Sequence, residues 1–225
     1  MIGAMEMPNE NMPTLQLVAP QALALDADFS PLSVALHKIL RRRRSSREFG
    51  AGDLSLHRLS RLLWAAFGIN RPEQGLRTAP SAANQQEIDI YLALRTGLYR
   101  FDAKQLALHP VRGADLRAAT GGQDYVAEAP LDLIYVATFH NDGVPARTEQ
   151  QFYAALDTGF ISQNVYLFCA AEGLATVVRG WVDRAALAGL MGLAPNQQVI
   201  AAQSVGHAPV WPPTDPEICP PEDID

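Results

Sequence analysis

Two short runs hold residue types suited to gripping a phosphorylated heterocycle. Arg43-Arg44-Ser45-Ser46-Arg47 gathers guanidinium groups and hydroxyls into five residues. A planar guanidinium donates two parallel charge-assisted hydrogen bonds to phosphate oxygens, and a hydroxyl adds a further donor. Further on, Pro80-Ser81-Ala82-Ala83-Asn84-Gln85-Gln86 is a turn-like run of small residues ending in amides. Amides both donate and accept, so they can read a ring edge that presents both group types. Each run also has an ordinary reading. Cations at a helix C-terminus complement its dipole, and Pro-Ser followed by Ala and Asn is common turn chemistry. It is the two together, in this order, that point to a phosphorylated heterocyclic cofactor.

Other chemistry has little support. The five histidines, His37, His57, His109, His140 and His207, are scattered, and no two share ligand spacing. No nucleophile-base pair, metal cluster or Gly-x-Gly-x-x-Gly run is legible, so neither a metal nor a catalytic side chain is expected. A cofactor that carries the reaction itself explains this. Cys169 and Cys219 are too few and too far apart for a disulfide framework or a zinc site. Cys169 reads as an inert core residue and Cys219 as exposed.

A chain of 225 residues fits one substantial core. Hydrophobic content of 48% and charged content of 19% place it among globular proteins. A net charge of −6 argues against a nucleic-acid partner held by broad phosphate neutralisation. The arginine run is then a local positive island, suited to a small anion. No signal peptide is legible, and polar residues interrupt the apolar stretch 152–174, so no membrane span is expected. A cytoplasmic location is the expectation.

The elements that must position these residues follow from periodicity. Residues 1–29 read as an extended arm, 30–209 as the cofactor-binding domain and 210–225 as a Pro-rich acidic tail. Ser30-Pro31 opens an amphipathic helix that ends in the arginine run. Ser55 caps a second helix with the stripe Leu56, Leu59, Leu62, Leu63, Ala66 and Phe67, closed by Gly68. Residues 71–84 read as a loop. Strands are expected over 88–94 and 131–138, the second nearly all apolar and therefore central, with a hairpin from 98–101 and 106–111. A short helix is expected over 114–119. Residues 149–173 give the longest helical pattern, apolar on nearly every face, so it should be buried centrally or covered by a second subunit. A strand over 174–178, a helix from the Asp183 cap to Leu190 and a last strand over 199–205 complete the pattern.

Both runs resemble the FMN-binding signature of the nitroreductase superfamily. The resemblance extends over 62–69, 77–82, 97–102, 125–130 and 157–174, segments similar to the SagB-type dehydrogenase branch. It implies an α+β, three-layer fold, a central mixed or antiparallel sheet flanked by helices, in an intertwined homodimer. It implies that Arg43, Arg44, Ser45 and Arg47 bind the phosphate and ribityl end of FMN. Pro80, Ser81, Ala82 and Asn84 would line the ring from the partner chain, and Gln86 would add a hydrogen bond or simply start a strand. Val178, Arg179 and Gly180 would bring backbone donors to the ring. Arg179 would stabilise reduced flavin or form a surface ion pair. NAD(P)H would be the transient donor, and a small nitroaromatic or quinone the acceptor. The alternatives are a SagB-like dehydrogenase acting on a peptide-derived substrate and a flavin-binding protein without turnover. Relatives carry a basic residue after the last strand; here Ser204-Val205-Gly206-His207-Ala208-Pro209 is followed by none, leaving His207 as a weak substitute. Neither Lys38 nor Lys104 precedes a Tyr, which argues against azole formation.

Overall fold

A computed structural model describes residues 15–16, 30–140 and 146–209. The expectations for the rest of the arm, for the tail 210–225 and for Cys219 lie outside the described residues.

The chain forms β1 (Leu15–Gln16), α1 (Ser30–Arg42), α2 (Leu56–Phe67), β2 (Ile69–Arg71), β3 (Leu76–Arg77), β4 (Ile88–Leu94), β5 (Gly97–Asp102), β6 (Ala107–Arg112), β7 (Leu131–Thr138), α3 (Arg147–Glu172), β8 (Leu174–Arg179), α4 (Arg184–Met191) and β9 (Gln197–His207). Seven strands make one sheet in the order β1-β6-β5-β4-β7-β9-β8. Every pairing in it is antiparallel.

Strand alternation sorts side chains to the two faces of this sheet. Ile88, Ile90 and Leu92 of β4, with Leu133 and Tyr135 of β7, pack against Leu59, Leu62, Leu63 and Phe67 of α2 and Ile161 and Val165 of α3. Tyr91 and Ala93, with Ile134 and Val136, face the other way toward Leu187 and Met191 of α4. The result is the three-layer α+β arrangement: helices, antiparallel sheet, helix. β7 is central, and only its last residue escapes full burial.

Local chemistry explains the element ends. The Ser55 hydroxyl accepts the Arg58 amide at 3.3 Å, and the Asp183 carboxylate accepts the Ala186 amide at 3.0 Å. Both are helix N-caps. Gly173 ends α3 with a left-handed φ of 73°. Gly68 ends α2 differently. Its backbone is extended, and a Cβ there would lie 2.6 Å from the Trp64 carbonyl, so close approach selects glycine.

Two expectations need correction. Residues 71–84 are not all loop: β2 and β3 form a small separate hairpin around a 3-10 turn at Pro72–Gln74. The helix expected over 114–119 is a 3-10 turn at Arg117–Thr120, and Asp115 accepts the Arg117 amide in a local side-chain turn that competes with helix at this entry. The single chain does not cover α3 on all sides, which leaves the expected alternative of cover by a second subunit. Phe152, Ala155, Leu156, Gly159, Phe160 and Gln163 are exposed in the single chain, Phe152 by 65%. Their spacing puts them on one helical stripe. Among the described residues no helix is long and apolar enough to cross a membrane.

Candidate active site

α1 stops at Arg42, immediately before the arginine-serine run. Arg41 and Arg42 stay in the last helical turn, where cations complement the dipole. Residues 43–50 leave the helix and run past the free edge of β8, the outermost strand. The Ser46 amide donates to the Thr176 carbonyl at 2.9 Å, and the Gly50 amide to the His207 carbonyl at 2.8 Å. Arg44, Ser45 and Arg47 are thereby held on an exposed stretch. Among the described residues neither Arg44 nor Arg47 has an ion-pair partner. The donor set fits an incoming phosphate.

Tyr166, on α3, joins this segment to the end of β8. Its hydroxyl lies 2.8 Å from the Ser45 Oγ and accepts the Val178 amide at 2.9 Å. The Arg43 guanidinium stands 5.3 Å from the centre of its ring, a cation–π contact. Two of the three expected contact regions, 43–47 and 178–180, therefore meet on one side chain. The sequence reading assigned Tyr166 no role, although it lies in a family-like segment.

At the end of β8, Val178 and Gly180 are exposed. A Cβ on Gly180 would meet nothing within 4 Å, so this backbone is open to a flat partner. Trp181 follows, 71% exposed, and its indole would lie 3.5 Å from a Cβ on Gly122. Arg184 donates to the Gly180 carbonyl at 3.1 Å and holds that end of the strand.

Arg179 departs from expectation. Its side chain neither reaches the open surface nor forms a surface pair; the residue is 3% exposed. It crosses behind β9 to Asp132 on β7, at 2.7 Å, and donates to the Thr120 carbonyl and hydroxyl at 2.7 and 3.0 Å. Strand alternation is the reason: with Val178 facing out, Arg179 must face in. Burial pushes the Asp132 carboxyl up to about 6, opposed by the adjacent Arg179 charge and the Ser204 hydroxyl. Gly121 leaves the room required, since a Cβ there would fall 2.1 Å from the guanidinium.

The third region, residues 80–86, is anchored elsewhere on α3. The Ala82 amide donates to Asp157 at 2.9 Å, and the Gln86 amide to the Ser81 hydroxyl at 3.0 Å. Ala83, Asn84 and Gln86 all have left-handed backbones, with φ of 50°, 55° and 51°. Such conformations cost roughly 1–3 kcal/mol each for non-glycine residues and cluster at functional sites. Ser81, Ala82 and Asn84 remain partly or fully exposed, as does Pro80. The Gln86 Oε1 accepts from Arg77 at 2.7 Å, and its Nε2 donates to the Gly75 carbonyl and Asn84 Oδ1, both at 3.0 Å. Both ends of the amide are engaged, so Gln86 braces the loop.

Below this loop sits a carboxyl pair that the sequence reading missed. Both Glu87 oxygens are buried without a hydrogen-bond partner among the described residues. Asp157, which accepts the Ala82 amide, is the nearby carboxylate whose charge opposes ionisation of Glu87. Burial, reinforced by Asp157, pushes Glu87 up to about 7. The one available signal was an acid, Asp157, inside an apolar helical run. His207, the weak substitute for a C-terminal clamp, turns its ring toward Arg58 and the Asp53 carbonyl, at 3.5 and 3.4 Å. No cluster able to hold a metal ion is present among the described residues.

This fold and this arrangement of segments match known proteins. The nitroreductase family model matches residues 40–207. A nitroreductase-like protein of Methanocaldococcus jannaschii is 31% identical over 157 residues, 65% of this chain and 79% of that protein. The crystal structure of a nitroreductase-like protein from Ralstonia eutropha JMP134 superposes with a TM-score of 0.79 at 38% identity, covering 92% of this chain and 95% of that one. The NADPH:FMN oxidoreductase of Vibrio harveyi, solved with NAD+, shares the fold at a TM-score of 0.58 and 21% identity, over 82% of this chain and 74% of that one. The chain belongs to the nitroreductase family, a family of oxidoreductases.

Proposed function

We propose that this protein is an FMN-dependent oxidoreductase that uses NAD(P)H to reduce small electron-poor acceptors such as nitroaromatics or quinones. The observation that carries the reading is the union of two segments on Tyr166: an exposed arginine-serine run and the open backbone of Val178 to Gly180. A phosphate donor set and a flat, glycine-containing backbone edge on one scaffold suit a phosphorylated planar ring. FMN, when bound, supplies two-electron redox chemistry between donor and acceptor.

The residues of this chain then bind and orient. Arg43, Arg44, Ser45 and Arg47 hold the phosphate and ribityl end. The backbone of 178–180 faces the ring. Pro80, Ser81, Ala82 and Asn84 line the ring from a second copy. That assignment rests on α3. Asp157, which anchors the 80–86 loop, and Tyr166, which anchors the phosphate segment, are nine residues apart, or about 13.5 Å of helix. One chain thus separates the two halves of the site. A two-fold pairing along the exposed stripe that runs from Phe152 to Gln163 would set a second copy against the helix that carries both anchors. The protein therefore works as a homodimer. Donor and acceptor use one ring face in turn, which gives ping-pong kinetics.

Within the family, the motifs over 62–69 and 157–174 support a place near the SagB-type branch. Acceptor reduction is favoured over azole formation because neither Lys38 nor Lys104 is followed by Tyr. The visible spectrum of the purified protein, before and after anaerobic NADPH, tests the reading. A yellow spectrum that bleaches is expected. A colourless protein that fails to take up added FMN overturns it.

A further inference from the structure

We propose that Tyr166 is a positioning residue that fixes Ser45 as a hydrogen-bond donor toward the phosphate. The inference rests on the FMN reading above and assigns a part to a side chain that does not itself touch the cofactor.

Donor and acceptor counts fix the direction of the bond between Tyr166 and Ser45. The Tyr166 hydroxyl has one proton and can also accept. The Val178 amide donates to it at 2.9 Å. Its own proton must then go elsewhere, and Tyr166 is only 7% exposed, so a water partner is poorly available. The Ser45 Oγ, at 2.8 Å, is the other polar atom in reach among the described residues. Tyr166 therefore donates to Ser45. With its oxygen accepting, the Ser45 hydroxyl turns its proton outward, on the exposed segment that carries Arg44 and Arg47. The chain runs from Val178 amide to Tyr166 to Ser45 to phosphate, each donor polarising the next. The Arg43 guanidinium over the Tyr166 ring adds a positive charge on the same side. Without Tyr166, the Ser45 hydroxyl would rotate freely and could present its lone pairs to an anion.

The variant Tyr166→Phe keeps the ring and its contact with Arg43 but removes the hydroxyl. The affinities of the apoprotein for FMN and for riboflavin separate the two roles of the residue, because riboflavin has the same ring without the phosphate. FMN affinity should fall about tenfold, the scale of one weakened charge-assisted hydrogen bond. Riboflavin affinity should move less than about twofold. Ser45→Ala should give the same selective loss, and Tyr166→Phe added to it should cause no further change in the FMN-to-riboflavin ratio. Equal weakening of both ligands would mean that the lost Val178 partner merely disturbs the backbone, which overturns the proposal. An unchanged ratio in Tyr166→Phe overturns it as well. Should the unaltered protein show no preference for FMN, or bind neither flavin, the phosphate assignment fails first and the proposal with it.

Discussion

The Arg179 guanidinium and the Asp132 carboxylate meet at 2.7 Å in the interior, across the width of β9. One charge comes from the outer strand and the other from the central one, so the pair ties the edge that carries Val178 and Gly180 to the core of the sheet. Removing one partner of a buried pair costs about 3–5 kcal/mol, because the other charge is left unpaired. Arg179→Met should therefore lower the urea midpoint sharply. Adding Asp132→Asn should recover much of the loss, since no uncompensated charge then remains. Denaturation curves of the two variants check this, and a double variant no more stable than Arg179→Met would refute it.

Glu87 supplies a pH signature. Its folded-state pKa is about 7 against an ordinary 4.5. Between those values the folded protein keeps a proton that the unfolded chain has released. Stability must therefore fall as pH rises through this window, with the full penalty present above 7. Glu87→Gln cannot ionise, and its amide can donate to Asp157. The variant should melt above the unaltered protein at pH 8, and the gap should close toward pH 4.5. Asp132 titrates in both proteins, so the difference between them isolates Glu87. Parallel melting-temperature curves from pH 5 to 8 would count against the raised Glu87 pKa.

The exposed stripe of α3 predicts the assembly. Phe160→Glu places a charge where Phe152, Leu156 and Gly159 leave an apolar face. In a single chain this position is exposed, so the substitution should change monomer stability by under about 0.5 kcal/mol. Sedimentation should show a monomer, and flavin should be lost with the partner's loop. A variant that stays dimeric with full flavin would place the interface elsewhere.

Arg44 is exposed and unpaired among the described residues, so its loss should cost binding without disturbing the fold. Arg44→Ala should weaken FMN roughly ten- to a hundredfold, the range for a charged hydrogen bond. Its thermal midpoint without cofactor should stay put. Flavin titration and melting of the apoprotein measure the two quantities. Full loading in this variant would move the phosphate to another part of the chain.

Much of the architecture was legible because local rules and global packing agree here. The strands over 88–94 and 131–138 matched the structure to the residue, the first legible by its β-rich alternation and the second because a strand covered on both faces reads as a nearly continuous apolar run. Ser55 and Asp183 were legible as caps because capping needs only short-range geometry. The two runs 43–47 and 80–86 also announced themselves by composition. The hairpin of β2 and β3 did not, since two- and three-residue strands carry too little periodicity to detect.

What the sequence determined by itself is therefore local: element types, caps, the basic run, the turn-forming loop and the family they resemble. What only the tertiary structure decided is which way side chains point and which distant residues meet. Arg179 reads in sequence as a cation facing flavin or paired at the surface, yet strand alternation turns it inward, and Asp132 lies 47 residues away. Ser45 and Tyr166 are 121 residues apart and share one hydrogen bond. Glu87 feels the charge of Asp157 only because α3 packs against β4. Such pairs leave no mark in spacing or period, because long-range contacts are fixed by the packing of whole elements and not by the residues beside them.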